Sequence, residues 1–316
     1  MQNQLSDRSF LSATARFLPQ CEWLWPIFMT GVALLFSGGC HLAVGVITGD
    51  DWSGPTSYRK PALFGISTGL TCISISWVWG KLRIWSPDPV VVWLTSLALA
   101  LEVTLITIQF WRGVPSHFNH ATYRDAFIEV AMLVLIIIAS LGISWLVFRS
   151  LLPGAFLTIE DTYDPSRIPS PSMKSAIRTG LVLLWISLLL GFFISSIGWA
   201  EIQAGRNPEL VPQAGVLKFP HGACLHAIQT LPLAVFVWQF LKCGHVLLRI
   251  NLLASAHFMF LAYACWQTFS GLARFEPAMG GMTLLGLTSL CLLAALLPSR
   301  WLEAMFPHRS LSETKS

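Results

Sequence analysis

Eight apolar runs punctuate the chain, and they limit it to one kind of fold. A helix needs roughly 20 mainly apolar residues to cross a bilayer. In hydrocarbon the backbone must satisfy its own hydrogen bonds, so runs of this length are helices. The runs are Trp23–Ile47, Pro61–Gly80, Val90–Trp111, Ala126–Phe148, Thr179–Ala200, Ala223–Leu241, Val246–Ser270 and Gly281–Leu297. The sequence therefore predicts an all-α, polytopic membrane helix bundle of about eight spans. Pro and Gly mark most of the breaks, as at Gly54-Pro55, Pro87-Asp88-Pro89, Pro115, Pro153-Gly154, Pro208, Pro220 and Pro277. Ser67, Thr68, Thr71, Ser74 and Ser76 dilute the second run, and small hydroxyl residues suit close helix packing.

Composition agrees with lipid as the main solvent. Only 11% of the residues are charged and 54% are hydrophobic, where a soluble domain carries about 25% charged residues. The net charge of +4 includes no basic tract of the kind that follows nucleic acid, so none is expected as a partner. The 7 cysteines contain no CxxC and lie mostly in apolar runs, where they read as small packing residues. Residues 1–20 lack the charged-then-apolar layout of a cleavable signal, so the first run is expected to stay in place.

Lys and Arg set the expected orientation. Thirteen of the 20 fall in or beside the N-terminus, the loops after spans 2, 4 and 6, and the C-terminus (Arg249 just inside span 7 among them), and seven in the remaining loops. By the positive-inside rule both termini are cytoplasmic. The expected layout is a tail over residues 1–22, a four-helix half over 23–148, a Pro/Ser-rich cytoplasmic linker over 149–178, a second half over 179–299 and a tail over 300–316. The two halves show no sequence repeat that would mark an inverted-repeat transporter.

With this orientation five of the 8 histidines fall on the outer side: His41, His117, His120, His221 and His226. His245 and His308 lie inside, and His257 is near the middle of span 7. The densest polar stretch runs from Gln109 through Arg112, Gly113, Pro115, Ser116, His117 and Asn119 to His120. A turn with these residues has the chemistry to ligate a metal, hold a haem propionate through Arg112 or grip an anionic headgroup. It is equally an interfacial turn meeting water and lipid phosphates. It continues a polar stripe, because Thr95, Glu102 and Gln109 are seven apart and share a face of span 3. A carboxylate such as Glu102 inside the hydrocarbon points to function by default. Asp125 and Glu129 share a face at the start of span 4, where Glu129 either handles protons or pairs with Arg124 or Arg112.

The second dense stretch, Lys218 to Pro232, carries His221, His226 and Gln229. His226 and Gln229 share a helix face, whereas His221 and His226 point about 140° apart on an ideal helix. His226 is thus the better inward ligand, and His221 is as readily interfacial. His41 follows Gly38-Gly39-Cys40, small residues that let a planar cofactor or another helix approach. The charged segment Asp50-Asp51-Trp52 to Phe64 reads as interface anchors, and the Trp residues near span ends as an aromatic belt. No Walker-type loop, GxSxG, HExxH or clustered histidine box is present.

The stretches Arg112-Gly113-Val114-Pro115-Ser116-His117-Phe118-Asn119, Lys60-Pro61-Ala62-Leu63-Phe64 and His221 through Pro232 resemble those of a group of bacterial multi-pass membrane proteins. The resemblance implies a protein of the bacterial inner (cell) membrane, and it carries over no activity and no catalytic residue. The two-half plan is also similar to that of haem A synthase, but spans 2 and 8 here have no histidine.

Three functions follow as expectations. The first is an outer-leaflet site binding haem b or a transition metal, for redox or lipid-phase chemistry. His41, His117, Arg112 and His226 would hold the cofactor, His117, His120 and His226 a metal, and Glu102 or Glu129 would move protons. Asn119, His221, Gln229 and Gln109 would support it, and a quinone, haem or small molecule would be the ligand. The second is a proton-coupled permease running through Glu102, Glu129 and His257. The third is a non-catalytic membrane scaffold.

Overall fold

The computed structural model describes residues 18–50, 52, 54, 56–205, 218–276 and 278–305. Most of the two expected tails, including His308, lies outside these residues, as do Asp51, Pro208 and Pro277. A single 3-10 turn, Glu22–Leu24, leads into α1 (Trp25–Thr48), followed by α2 (Arg59–Trp79), α3 (Asp88–Trp111) and α4 (Tyr123–Leu151). Then come α5 (Pro171–Gln203), α6 (Lys218–Leu225), α7 (Ala227–Phe240), α8 (Val246–Phe269), α9 (Met279–Leu296) and the short α10 (Ser299–Met305). Taking α6 with α7 as one, eight helical segments among the described residues are long and apolar enough to cross a membrane. The chain is an all-helical, multi-pass membrane protein.

The expected spans all appear, and the largest change of boundary is in the fifth. α5 begins at Pro171, where Ser170 serves as its cap: its Oγ accepts from Met173 N at 3.3 Å and its carbonyl from Lys174 N at 2.9 Å. Pro suits the first helical position because it has no N–H to leave unsatisfied. Met173, Ala176, Ile177 and Leu181 are buried at helical spacing, so the helix forms well before its apolar run begins. The sixth span is broken: His226 (φ −96°, ψ 10°) separates α6 from α7. Pro232, inside α7, withholds one further backbone donor.

The helices form two compact units, each described by itself. One contains the chain through Pro169 together with the part of α5 from Phe192 on; the other contains Ser170–Gly191 and the helices from α6 onward. In the first, α1 and α2 meet backbone to backbone. A Cβ added to Gly38 would lie 2.6 Å from Ile66 N, one on Gly65 2.8 Å from Gly38 Cα, and one on Gly31 2.8 Å from Gly69 O. Small residues in register permit this approach. Thr30 and Ser96 hydrogen-bond at 2.8 Å between α1 and α3. Thr95 of α3 fills the space where a Cβ on Gly142 of α4 would stand, 1.8 Å from its Oγ1.

Of the stretch expected to be a linker, residues 155–167 are fastened to the first unit. Arg83 N donates to Ala155 O at 2.9 Å and Leu157 N to Lys81 O at 3.0 Å, a short bridge that buries Ala155, Phe156 and Leu157. Arg83 also pairs with Asp161 at 2.9 Å, and Arg167 donates to Gly80 O at 3.4 Å. In the second unit Gly180 lies against Ala227 and Ile228, with room for no Cβ: one would be 2.8 Å from Ile228 Cα. Arg249 closes the end of α9 by donating to Ala295 O at 2.7 Å.

Candidate functional site

The turn between α3 and α4 is built by local rules. Gly113, at φ +68°, ends α3: its N–H bonds Phe110 O at 2.9 Å, and Val114 N–H bonds Gln109 O at 3.2 Å. That pairing closes a helix through a left-handed glycine. Thr122 opens α4, its Oγ1 accepting from Asp125 N at 3.2 Å and donating to Asp125 Oδ2 at 2.6 Å. Asp125 sits in the first turn of α4, where the helix dipole favours an anion.

Two acid-centred knots result. In the first, Asp125 Oδ1 accepts from Arg112 at 2.7 Å and from Gln109 Nε2 at 3.2 Å, while Arg112 also donates to Gln109 Oε1. In the second, Glu129 Oε2 accepts from Asn119 N at 2.9 Å and stands 3.2 Å from His120 Nε2. Asn119 is tied back to the loop through Pro115 O (3.3 Å) and Ala121 N (3.1 Å). His117 Nδ1 is 3.0 Å from Ser116 Oγ, and its ring faces Phe64.

The same loop reaches the part of α5 that belongs to this unit. The His120 ring is 4.6 Å from that of Trp199. Phe118, held at φ +60°, occupies the hollow left by Gly198, where a Cβ would be 2.1 Å from its ring.

His41 lies near this end of the unit. Its Nδ1 is 2.8 Å from Ser37 O. A carbonyl only accepts, so Nδ1 carries the hydrogen and the neutral ring keeps its lone pair on Nε2. The rings of Tyr58, Phe110 and Trp111 surround it at 6.3, 6.0 and 5.9 Å.

Glu102 is deeper on α3. It lies 14 residues from Asp88 and nine from Trp111, or about 21 Å and 14 Å along the axis at 1.5 Å per residue. It is 7% exposed. The other buried acids of this unit have basic partners: Asp88 with Arg149 at 2.6 Å, Asp125 with Arg112, and Glu129 with His120. Among the described residues Glu102 has no hydrogen bond and no ion pair. The hydroxyls along its helix are committed, Thr95 to Val91 O at 2.7 Å, Ser96 to Thr30 and Thr107 to Val103 O at 2.8 Å.

The remaining expected residues lie in the second unit. His221 Nδ1 donates to Ser187 O at 2.8 Å, and Ser187 Oγ donates to His221 O at 2.9 Å. His226 forms the break in the span, its carbonyl accepting from Gln229 N and Thr230 N. His257 Nδ1 bonds Leu253 O at 2.9 Å, which leaves Nε2 to accept from Thr230 Oγ1 at 3.0 Å.

The first unit thus brings together Gln109, Arg112, Asn119, His120 and Glu129 around one turn, with His117 in the same loop. Among the described residues no three or more His, Cys, Asp or Glu side chains group to hold a metal ion. His117 and His120 belong to the first unit and His226 to the second. Sequence reading missed the pair of Asp88 with Arg149, which Trp145 Nε1 (2.9 Å to Asp88) and the Trp85 ring (4.0 Å from the guanidinium) complete. The signal was available: an acid that opens one span and a base that closes the next lie at the same end of a helix hairpin. No protein-family model, curated protein or solved structure matches the chain.

Proposed function

We propose that this protein is a proton-coupled membrane carrier of a small molecule, with Glu102 as its protonation site. One observation carries the reading: a carboxyl on a buried helix face, far from both ends of its span, with no partner among the described residues. A charged side chain at mid-membrane costs about 2.5–3.5 kcal/mol even on the mildest scale. The other buried acids of the unit, Asp88, Asp125 and Glu129, lie against Arg149, Arg112 and His120. Glu102 takes its balancing charge from outside the fold, and a proton is the simplest source. The Gln109, Arg112 and Asp125 knot lies on the same side of α3, two turns toward the turn that contains His117.

The test is proton movement in proteoliposomes enclosing a pH-sensitive dye. Protein-dependent collapse of an imposed pH gradient is expected when a panel of small organic ions and neutral solutes is supplied, falling to the level of empty vesicles in Glu102→Gln and kept in part by Glu102→Asp. Equal rates for the native protein and Glu102→Gln would overturn the reading.

A second reading rests on His41. Its Nδ1 donates to Ser37 O at 2.8 Å, which leaves the lone pair of Nε2 as the ligand atom, the tautomer that a backbone acceptor fixes in metal-bound histidines. His41 would hold a haem iron through that nitrogen, with Arg112 at the same end for an anionic substituent, and the haem would supply redox chemistry. It does not by itself fit a transition-metal site, which needs several donors. A Soret band in the purified protein, lost or shifted in His41→Ala, supports this reading, and a spectrum without one defeats it.

A further inference from the structure

Resting on the reading of Glu102 as the proton site, we infer that the carried substrate is an organic cation that competes with the proton for this one carboxylate, so that the protein works as a proton/organic-cation exchanger. Charge balance leads there first. Arg149 and Arg112 are committed to Asp88 and Asp125, and the turn's His120 to Glu129. Whatever neutralises Glu102 must arrive and leave, and only a cation can replace a proton without stranding a charge in the membrane.

The surroundings then select the class of cation. A bare metal cation replaces its hydration shell with several oxygen ligands. α3 is an unbroken helix at Glu102, so the carbonyls around it are engaged in the helix. Thr95, Ser96 and Thr107 of α3 lie seven, six and five residues from Glu102, about 7–10 Å along the axis, and do not bring an oxygen beside its carboxylate. The buried residues flanking Glu102 on its helix are Ala98, Leu99, Val103 and Ile106, and Ile106 packs with Ile128, Met132 and Phe64. On the facing helix α4, Ser140 Oγ is also buried without a hydrogen-bond partner among the described residues. One carboxylate in apolar walls suits an ammonium-type cation that brings its own apolar surface. It does not suit sodium or potassium.

The step balances simply. The carboxylic acid releases its proton to water on one side, and the carboxylate pairs with the cation. On the other side the cation leaves and a proton replaces it. One positive charge moves each way, and no bond other than O–H forms or breaks.

The experiment uses the full-length protein in dye-loaded proteoliposomes with an imposed pH gradient, and ethidium, which is permanently charged, as the probe. Ethidium should collapse the gradient several-fold faster than in empty vesicles, Glu102→Asp should retain the effect, and Glu102→Gln should lose it. In detergent, ethidium binding to the purified protein should weaken by about tenfold per pH unit on the acid side of the carboxyl's titration, because one proton is displaced per cation bound. Elution of Glu102→Gln at the native volume in gel filtration, with Glu102→Asp active, ties the loss to the carboxyl. Proton movement that needs Glu102 but ignores ethidium would overturn the inference and leave the carrier reading standing. Coupling to sodium or potassium instead would overturn the organic class. Absence of any Glu102-dependent proton movement would defeat both.

Discussion

At the residue scale, the first unit places its buried charges in two ways. Asp88 and Arg149, 0% and 1% exposed, answer each other at one end. Arg149 also donates to Arg83 O and lies on Trp85, so its position is fixed from several sides. Removing one member of a buried pair leaves an uncompensated charge and costs about 3–5 kcal/mol, whereas apolar replacement of both is often nearly neutral. Arg149→Met is therefore expected to lower the thermal midpoint in detergent sharply, and Asp88→Leu with Arg149→Met to recover most of the loss. A double variant as unstable as the single would show that the pair does more than balance charge. Glu102 has no such answer among the described residues, and the carrier reading rests on that difference in surroundings. Sequence spacing picked out Glu102, because a carboxylate in an apolar run is visible without coordinates. It did not pick out Asp88, which reads as part of a Pro-rich turn until its helix partner is known.

At the element scale, two neighbouring glycines of α1 make a controlled comparison. A Cβ on Gly38 would press on the backbone of α2, which has no side chain to move aside, while one on Gly39 would meet nothing within 4 Å. Overpacking of a tight contact costs about 1–3 kcal/mol, and Gly to Ala in a free helix position gains up to about 1 kcal/mol. Gly38→Ala should thus destabilise and Gly39→Ala stabilise, read as opposite shifts in melting temperature. The sequence shows that both are small, but which faces α2 depends on helix rotation, and the weak polarity pattern of the run does not set that. The loop between α4 and α5 makes a similar point. Its Pro and Ser content suggests slack chain, yet Thr158 and Arg83 pin it through Asp161. The hydroxyl and backbone N–H of Thr158, then Arg83, hold the Asp161 carboxyl below the usual carboxylate range. A depressed carboxyl lends its tie above its unfolded value and loses it as pH falls through the folded one. Amide exchange at Thr158 should accelerate as pH drops below about 4, the unperturbed Asp range, relative to intrinsic rates. Asp161→Asn should show no such pH step, and a step that persists in it would place the effect elsewhere.

At the scale of the whole molecule, the number and kind of spans were legible because apolar length is a local property. Grouping was not, since the division within α5 and the docking of the loop after α4 depend on contacts between distant segments. Sidedness bears directly on exchange. If the thirteen-to-seven distribution of Lys and Arg sets the orientation, the turn from Arg112 to His120 faces outward and the loop around Asp161 faces the cytoplasm. Tyr123 and Tyr163 are fully exposed, one beside each region, and suit single-cysteine replacement in a cysteine-free background. Tyr123→Cys should react with a membrane-impermeant maleimide added to intact cells, and Tyr163→Cys only after permeabilisation; the reverse pattern would invert the assignment. Glu102 lies somewhat nearer the Arg112 end of its helix, so with this orientation the shorter path to its carboxyl opens to the exterior. A proton entering from an acidic exterior then meets Glu102 sooner than one from the cytoplasm, and the cation it displaces leaves by that same end unless the helices rearrange. Net export therefore requires a second state in which Glu102 opens to the cytoplasm.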